Sequence, residues 1–185
     1  MIFNKHSDLE GRHAFLSPSS PHWLNYDSEK LETTYINRMN TERGVRLHAL
    51  AAELIELGIK LPKKKKTLNM YVNDSIGFKQ STEQVLYFSP NCFGTADSIS
   101  FRGNTLRIFD LKTGFTPAHM EQLIIYAALF CLEYKYNPSK LRVELRIYQN
   151  DEVIVYEPTP EEIIEIMEII KEFNALIESM NLEAN

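Results

Sequence analysis

Three residues carry groups that could do chemistry together: Asp97, Asp110 and Lys112. They sit in Gly94-Thr95-Ala96-Asp97 and in Ile108-Phe109-Asp110-Leu111-Lys112-Thr113-Gly114. The runs 96–101 and 105–111 are rich in β-formers, and Arg102-Gly103-Asn104 between them is a hairpin signal. Thirteen positions separate the two aspartates, about one hairpin, so both carboxylates can meet at one end of a sheet. Lys112 follows Asp110 by two and faces the same way. Two hard oxygen donors beside an ammonium suit Mg²⁺ or Mn²⁺ held against a phosphate. In phosphodiester cleavage the aspartates would be ligands, and Lys112 would orient water or steady developing charge. The competing reading is a pair of solvated aspartates and a surface lysine, since a short motif alone is weak.

The elements that must position these residues can be read from pattern. Ser19-Ser20-Pro21 predicts a helix over residues 21–33. A longer helix is predicted over 34–57, closed by Gly58. Leu47, Leu50, Ala51, Leu54, Ile55 and Leu57 are its apolar positions, a core face by spacing. A short helix is expected over 68–79, then strands at 84–88, 93–101 and 105–111. Pro117 predicts a helix over 117–136, followed by strands at 141–149 and 152–156 around Asn150-Asp151. Thr159-Pro160-Glu161-Glu162 opens a final acidic helix, 159–182, with an N-cap, Pro at its first position and acids in its first turn. The expected class is mixed α/β, a mixed sheet flanked by helices in the order α-α-β-β-β-α-β-β-α. Residues 1–12 read as a flexible lead and 13–185 as one domain.

Composition sets bounds. The 185 residues are 44% hydrophobic, enough for one real core. Two cysteines, Cys92 and Cys131, suggest a reduced, cytoplasmic chain. The polar N-terminus does not read as a signal peptide, and no apolar run approaches the ~18 residues of a membrane span. A net charge of −5 does not advertise a nucleic-acid binder, although a local basic patch can attract phosphate on an acidic protein. Lys63, Lys64, Lys65 and Lys66 are the densest cationic run. They read either as a solvated loop or as a phosphate clamp, which Arg43, Arg46, Arg102 and Arg107 would extend. Tyr71, Phe78 and Phe115 are either core aromatics or base-stacking platforms.

The motifs around these residues resemble the PD-(D/E)XK nuclease superfamily, in its RecB-like branch with lambda-type phage exonucleases. Gly-Thr-Ala-Asp, a hairpin and Asp-Leu-Lys-Thr-Gly look like that core. Gly44-Val45-Arg46-Leu47-His48 matches an upstream Gly-x-x-x-His, and Gln122-Leu123-Ile124-Ile125-Tyr126 matches a Gln-x-x-x-Tyr after the lysine. Leu16-Ser17-Pro18-Ser19-Ser20 and Trp23-Leu24-Asn25 resemble an uncharacterised phage group within the branch. The similarity covers about residues 13–157, and its strength lies in five loose motifs in the right order.

The resemblance implies that His48, Asp97, Asp110 and the Leu111 backbone carbonyl hold Mg²⁺ or Mn²⁺. It makes Asp97, Asp110, Lys112, Gln122 and Tyr126 the catalytic set. By pattern alone, His48 is more often structural, while Gln122 and Tyr126, at i and i+4, are a polar fringe on one helix face. Glu83 reads as a strand-edge charge in preference to a second ion's ligand, and Glu53 and Glu56 as solvent charges. Some relatives carry a four-cysteine iron–sulfur cluster, which two cysteines cannot supply, so no cluster is expected. His6, His13, His22 and His119 have no zinc-site spacing.

The activity implied is a DNA exonuclease of phage recombination or DNA processing, leaving a 5′-phosphate and a 3′-hydroxyl. Its substrate would be single- or double-stranded DNA ends in the bacterial cytoplasm. An annealing protein or a helicase would be a companion, since the chain has no phosphate loop of its own, and self-association is open. The alternatives are a non-catalytic DNA-binding or assembly protein on the same fold, and a restriction-type endonuclease.

Overall fold

The computed structural model describes residues 7, 11, 13–114 and 116–183. The chain divides into two compact units, residues 1–43 and 44–185. His6, Phe115 and most of the lead 1–12 lie outside the described residues.

In the first unit a short 3-10 helix, Pro21–Asn25, precedes the start of α1, Ser28–Glu56. Trp23 donates its indole N–H to the Ser17 carbonyl at 2.9 Å. Asp27 accepts from the Lys30 N–H at 2.8 Å and so caps α1. The predicted break between residues 33 and 34 does not occur. The helix runs through Thr34, whose hydroxyl satisfies itself on the Lys30 carbonyl at 2.7 Å.

The second unit carries the rest of α1, then α2 (Thr67–Gly77), β1 (Ser81–Ser89), β2 (Cys92–Arg102) and β3 (Thr105–Leu111). It continues with α3 (Glu121–Glu133), β4 (Arg142–Gln149), β5 (Glu152–Tyr156) and α4 (Pro160–Glu183). The five strands form one mixed sheet in sequence order, β1-β2-β3-β4-β5. Only β3 and β4 pair in parallel, and α3 makes the crossover that a parallel pair requires.

Local chemistry explains the turns. Gly103 and Asn104 both have positive φ, +55° and +59°, the backbone of a type I′ hairpin between Arg102 and Thr105. Asn150 and Asp151 repeat it at +51° and +59° between β4 and β5. Gly58, at φ +66°, ends α1: its N–H meets the Ile55 carbonyl while the Ile59 N–H meets Leu54.

Pro117 does not open α3. The buried Gln149 donates to the Gly114 and Thr116 carbonyls, both at 2.7 Å, and accepts from the Ala118 N–H. The loop is pinned there, and the helix begins only at Glu121.

Both faces of the sheet are covered. On one, Leu123, Ala127, Ala128 and Leu129 of α3 pack with Leu106, Ile108, Leu145 and Ile163. On the other, Ala51 and Ile55 of α1 and Tyr71 and Val72 of α2 pack on Phe109, Leu111 and Tyr148. Each fully buried Leu, Ile, Val or Phe among them contributes about 1.5–3 kcal/mol of transfer free energy. Leu50 and Leu57, expected on the core face of α1, are exposed.

Candidate metal centre

The rungs between β2 and β3 stop at Ser98–Phe109. Continuing the register one step would place Asp97 across from Asp110. Instead of a further rung, Asp97 Oδ2 accepts the Leu111 N–H at 2.8 Å. The side chain takes over the free backbone donor where the strands part. On the other side of β2, Thr82 pairs with Ser98 and Gln84 with Ala96, so Glu83 stands across from Asp97. Glu83 has φ +49°, a left-handed conformation that is costly inside a strand. Three carboxylates thus line up across three neighbouring strands.

His48 reaches this row from α1. Its Nδ1 lies 3.4 Å from Asp97 Oδ2. Gly44, one turn earlier, makes the approach possible. A Cβ at Gly44 would sit 2.8 Å from the Thr113 hydroxyl oxygen. The spacing Gly-x-x-x-His therefore has a physical reason: the glycine seats the helix against the end of β3, and the histidine lies on the same face.

Ligand atoms of His48, Glu83 and Asp97 all fall within 4.8 Å of one another, a group able to hold a metal ion. This compact triad differs from the expected set, because Glu83 joins it and Asp110 lies outside it. Glu83, expected as a strand-edge charge, faces the site through the register of β1. The Leu111 N–H, beside the carbonyl expected as a ligand, donates to Asp97 Oδ2. Glu53 and Glu56, expected as solvent charges, are both exposed, and Glu56 also accepts from the Thr82 hydroxyl at 2.8 Å.

Asp110 sits beside the triad, 4% exposed. Lys112 Nζ donates to its Oδ1 at 3.1 Å. Oδ2 lies 3.0 Å from the same nitrogen, but among the described residues it makes no hydrogen bond. A buried carboxylate needs a compensating charge, and here the Lys112 ammonium supplies it to both oxygens. The same Nζ donates to Gln122 Oε1 at 2.9 Å. Gln122 Nε2 donates to the Tyr126 hydroxyl at 3.4 Å, which donates to the Thr95 carbonyl at 2.7 Å. The chain Asp110–Lys112–Gln122–Tyr126–Thr95 ties α3 to β2 and β3. Gly94 makes room for it: a Cβ there would meet Tyr126 Cε1 at 2.9 Å.

The electrostatics are those of crowded acids. Burial first, then Asp97, raises the Asp110 carboxyl above the ordinary range. Burial and Asp97 likewise raise Glu83. The hydrogen bond to Asp97 raises His48 against an opposing effect of burial. Asp97 contributes to all three shifts, and a divalent cation would relieve that part of them. One nitrogen and several carboxylate oxygens form a donor set that fits Mg²⁺ or Mn²⁺.

Other expected residues are placed elsewhere. Tyr71 is 2% exposed and meets Tyr148 edge-on at 5.5 Å, so it is a core residue and not a base-stacking one. The guanidinium groups of Arg107 and Arg146 lie over the Phe78 ring, at 4.7 and 4.8 Å from its centre. Arg107 is further tied to Glu144 at 3.3 Å, which removes it from a free basic surface. Arg43, in the first unit, and Arg46 and Arg102, in the second, are exposed.

Lys66 pairs with Asp151 at 2.6 Å, whereas Lys63, Lys64 and Lys65 line a cleft with Lys60. Among the described residues no helix is long and apolar enough to cross a membrane. No protein-family model, curated protein or solved structure matches the chain.

Proposed function

We propose that this chain is a Mg²⁺- or Mn²⁺-dependent deoxyribonuclease on a PD-(D/E)XK-type core, acting at DNA ends. The observation that carries the reading is the buried Asp110 carboxylate, ion-paired to Lys112 through both oxygens, beside the His48–Glu83–Asp97 group. A purely structural sheet end has no use for three neighbouring acids, since like charges placed across strands oppose folding. When bound, the cation supplies Lewis acidity toward a phosphoryl oxygen and lowers the pKa of water.

The chain's own residues divide the remaining work. His48, Glu83 and Asp97 would hold the ion, and Asp110 beside them would add negative charge and position Lys112. Lys112, fixed between Asp110 and Gln122, presents an ammonium that orients water or steadies charge on the phosphate. Tyr126 locks Gln122 to the β2 backbone and so fixes where Lys112 points.

Products with a 5′-phosphate and a 3′-hydroxyl are expected, and a recombination or DNA-processing role fits an enzyme of ends. The deciding experiment compares linear with closed circular DNA, each with Mg²⁺ and with Mn²⁺. Degradation of linear DNA alone supports an exonuclease. Cutting of circles assigns a restriction-type endonuclease. Binding without cleavage by either substrate makes the chain a non-catalytic DNA-binding protein. Calorimetry of Mn²⁺ binding to Asp97→Ala and Asp110→Ala gives a readout independent of turnover.

A further inference from the structure

The loop between α1 and α2 holds five lysines, Lys60 and Lys63 to Lys66, and the fold treats them unequally. Lys66 is committed: its ammonium pairs with Asp151 Oδ2 at 2.6 Å. Asp151 Oδ1 accepts the Thr67 N–H at 2.9 Å, and the Asp151 N–H donates to Thr67 Oγ1 at 2.7 Å. The β4–β5 turn therefore caps α2 and neutralises the last lysine of the run.

Lys60, Lys63, Lys64 and Lys65 instead line one cleft of about 570 Å³. Their ammonium groups make no ion pair or hydrogen bond among the described residues. The other polar groups of the cleft are already used. Asn73 accepts from the Leu61 N–H and donates to the Leu61 carbonyl, both at 2.9 Å. Asp74 accepts from Arg146 Nη1 at 2.9 Å and from the Tyr148 hydroxyl at 2.7 Å. Leu61 and Met70 supply the apolar lining.

Four lysines without an ion pair among the described residues, around one concavity in a chain of net charge −5, form a local field opposite to that of the whole. The one acid in the cleft wall, Asp74, is ion-paired to Arg146, and four lysines outnumber it. The cleft's volume is within the range of real ligand sites.

We infer that this cleft seats the phosphates of a nucleic-acid strand, with Lys60, Lys63, Lys64 and Lys65 as the contacts and Lys66 excluded. Several phosphates at regular intervals satisfy four spaced ammonium groups, and the apolar lining accepts the sugar or base between them. The choice of a strand rests on the nuclease reading; the binding of phosphate rests on the cleft alone. A free phosphate or mononucleotide shares the chemistry but engages fewer lysines.

The test uses the full chain in EDTA, where cleavage cannot occur, and a fluorescein-labelled single strand of about 16 nucleotides. Affinity is measured by anisotropy across a salt series for wild type, the quadruple variant K60Q/K63Q/K64Q/K65Q and Lys66→Gln. All four replaced side chains are exposed, and thermal melts check that each variant folds. The expected result is a salt slope lower by about 0.7 for each lysine removed, roughly 3 in the quadruple variant. Lys66→Gln should lower the melting temperature and keep the slope.

An unchanged slope in the quadruple variant overturns the inference. An equal loss of slope in Lys66→Gln also overturns it, because the effect is then diffuse charge. Displacement of the strand by inorganic phosphate or a nucleoside monophosphate, with a slope near that of a single contact, reassigns the cleft to a small anion and overturns the strand. Loss of Mn²⁺-dependent cleavage in Asp110→Ala, with the salt slope intact, separates this question from that of the nuclease.

Discussion

Glu83 faces Asp97 across β1 and β2 while holding a backbone φ of +49°. Two costs coincide at one position: a left-handed residue inside a strand and a like-charge pair directly opposite. Both become reasonable if a cation stands between the carboxylates and His48. Glu83→Gln should therefore stabilise the metal-free protein, by about 1 kcal/mol or less, because one repulsion is removed. The same variant should bind Mn²⁺ more weakly, with a loss larger than the ~10–100-fold seen when a group that merely orients a ligand is removed. Melts in EDTA and calorimetry with Mn²⁺ measure the two effects. Unchanged Mn²⁺ affinity would take Glu83 out of the ligand set.

Gly44 and Thr113 invite a double-mutant cycle. A glycine inside a helix costs about 1 kcal/mol relative to alanine, so Gly44→Ala should stabilise α1 if nothing opposed it. The Thr113 hydroxyl, 2.8 Å from the added Cβ, does oppose it. The single variant is expected to lose Mn²⁺ affinity, because α1 moves outward and carries His48 with it. Adding Thr113→Ala removes the obstructing oxygen, and the double variant should regain affinity and melt higher than Thr113→Ala alone. Additive effects of the two substitutions would show that the contact does not set the helix position.

These two pairs also show what the sequence could and could not reveal. The hairpin at Gly103-Asn104 was legible because its turn is local and demands residues that tolerate positive φ. Gln122 and Tyr126 were legible as one helix face for the same local reason. The triad was not. A strand expected to begin at Gln84 leaves Glu83 at its edge, whereas the real β1 begins at Ser81 and brings Glu83 across from Asp97. Its position follows from register, a non-local property. The start of α3 depended on Gln149, more than thirty positions from the carbonyls it holds. The fate of Lys66 depended on Asp151, 85 residues away.

The acid cluster predicts a pH dependence of stability. Asp110, Glu83 and His48 all have folded values raised above the ordinary ones, Asp110 chiefly by burial. A raised group binds protons more tightly in the folded state. Its contribution is fully present below the unfolded pKa and is lost as pH rises through the folded value. For the two carboxyls that loss begins above about 4, and for His48 above about 6.5. Metal-free protein should therefore lose stability from weakly acid to neutral and alkaline pH. Asp151, Glu157 and Glu162 are lowered and act in the opposite sense, but only as pH falls through the acid range. In EDTA melts, Asp110→Asn should flatten the decline above pH 5, and saturating Mg²⁺ should flatten it in wild type. A wild-type curve that rises from pH 5 to 8 would contradict the crowding of charge at the site.

Lys112 separates catalysis from ion binding. Its ammonium is shared between Asp110, at 3.0–3.1 Å, and Gln122, at 2.9 Å. Lys112→Met keeps the length of the stem and removes the charge, so Asp110 loses its partner while the ligand atoms of the triad stay in place. Removing a cation beside the acids should leave Mn²⁺ affinity equal or higher. Turnover should fall by roughly 10²–10³, the effect of deleting one preorganised charge stabiliser. Lys112→Arg should rescue little. A planar guanidinium cannot occupy the same point between a carboxylate and an amide oxygen, and its high pKa bars any proton exchange with water. Single-turnover cleavage at saturating Mn²⁺ reads the first effect and calorimetry the second. Near-wild-type rates in Lys112→Arg would reduce Lys112 to a general positive charge. Loss of Mn²⁺ binding in Lys112→Met would mean that it shapes the ligand set and does not act on the phosphate.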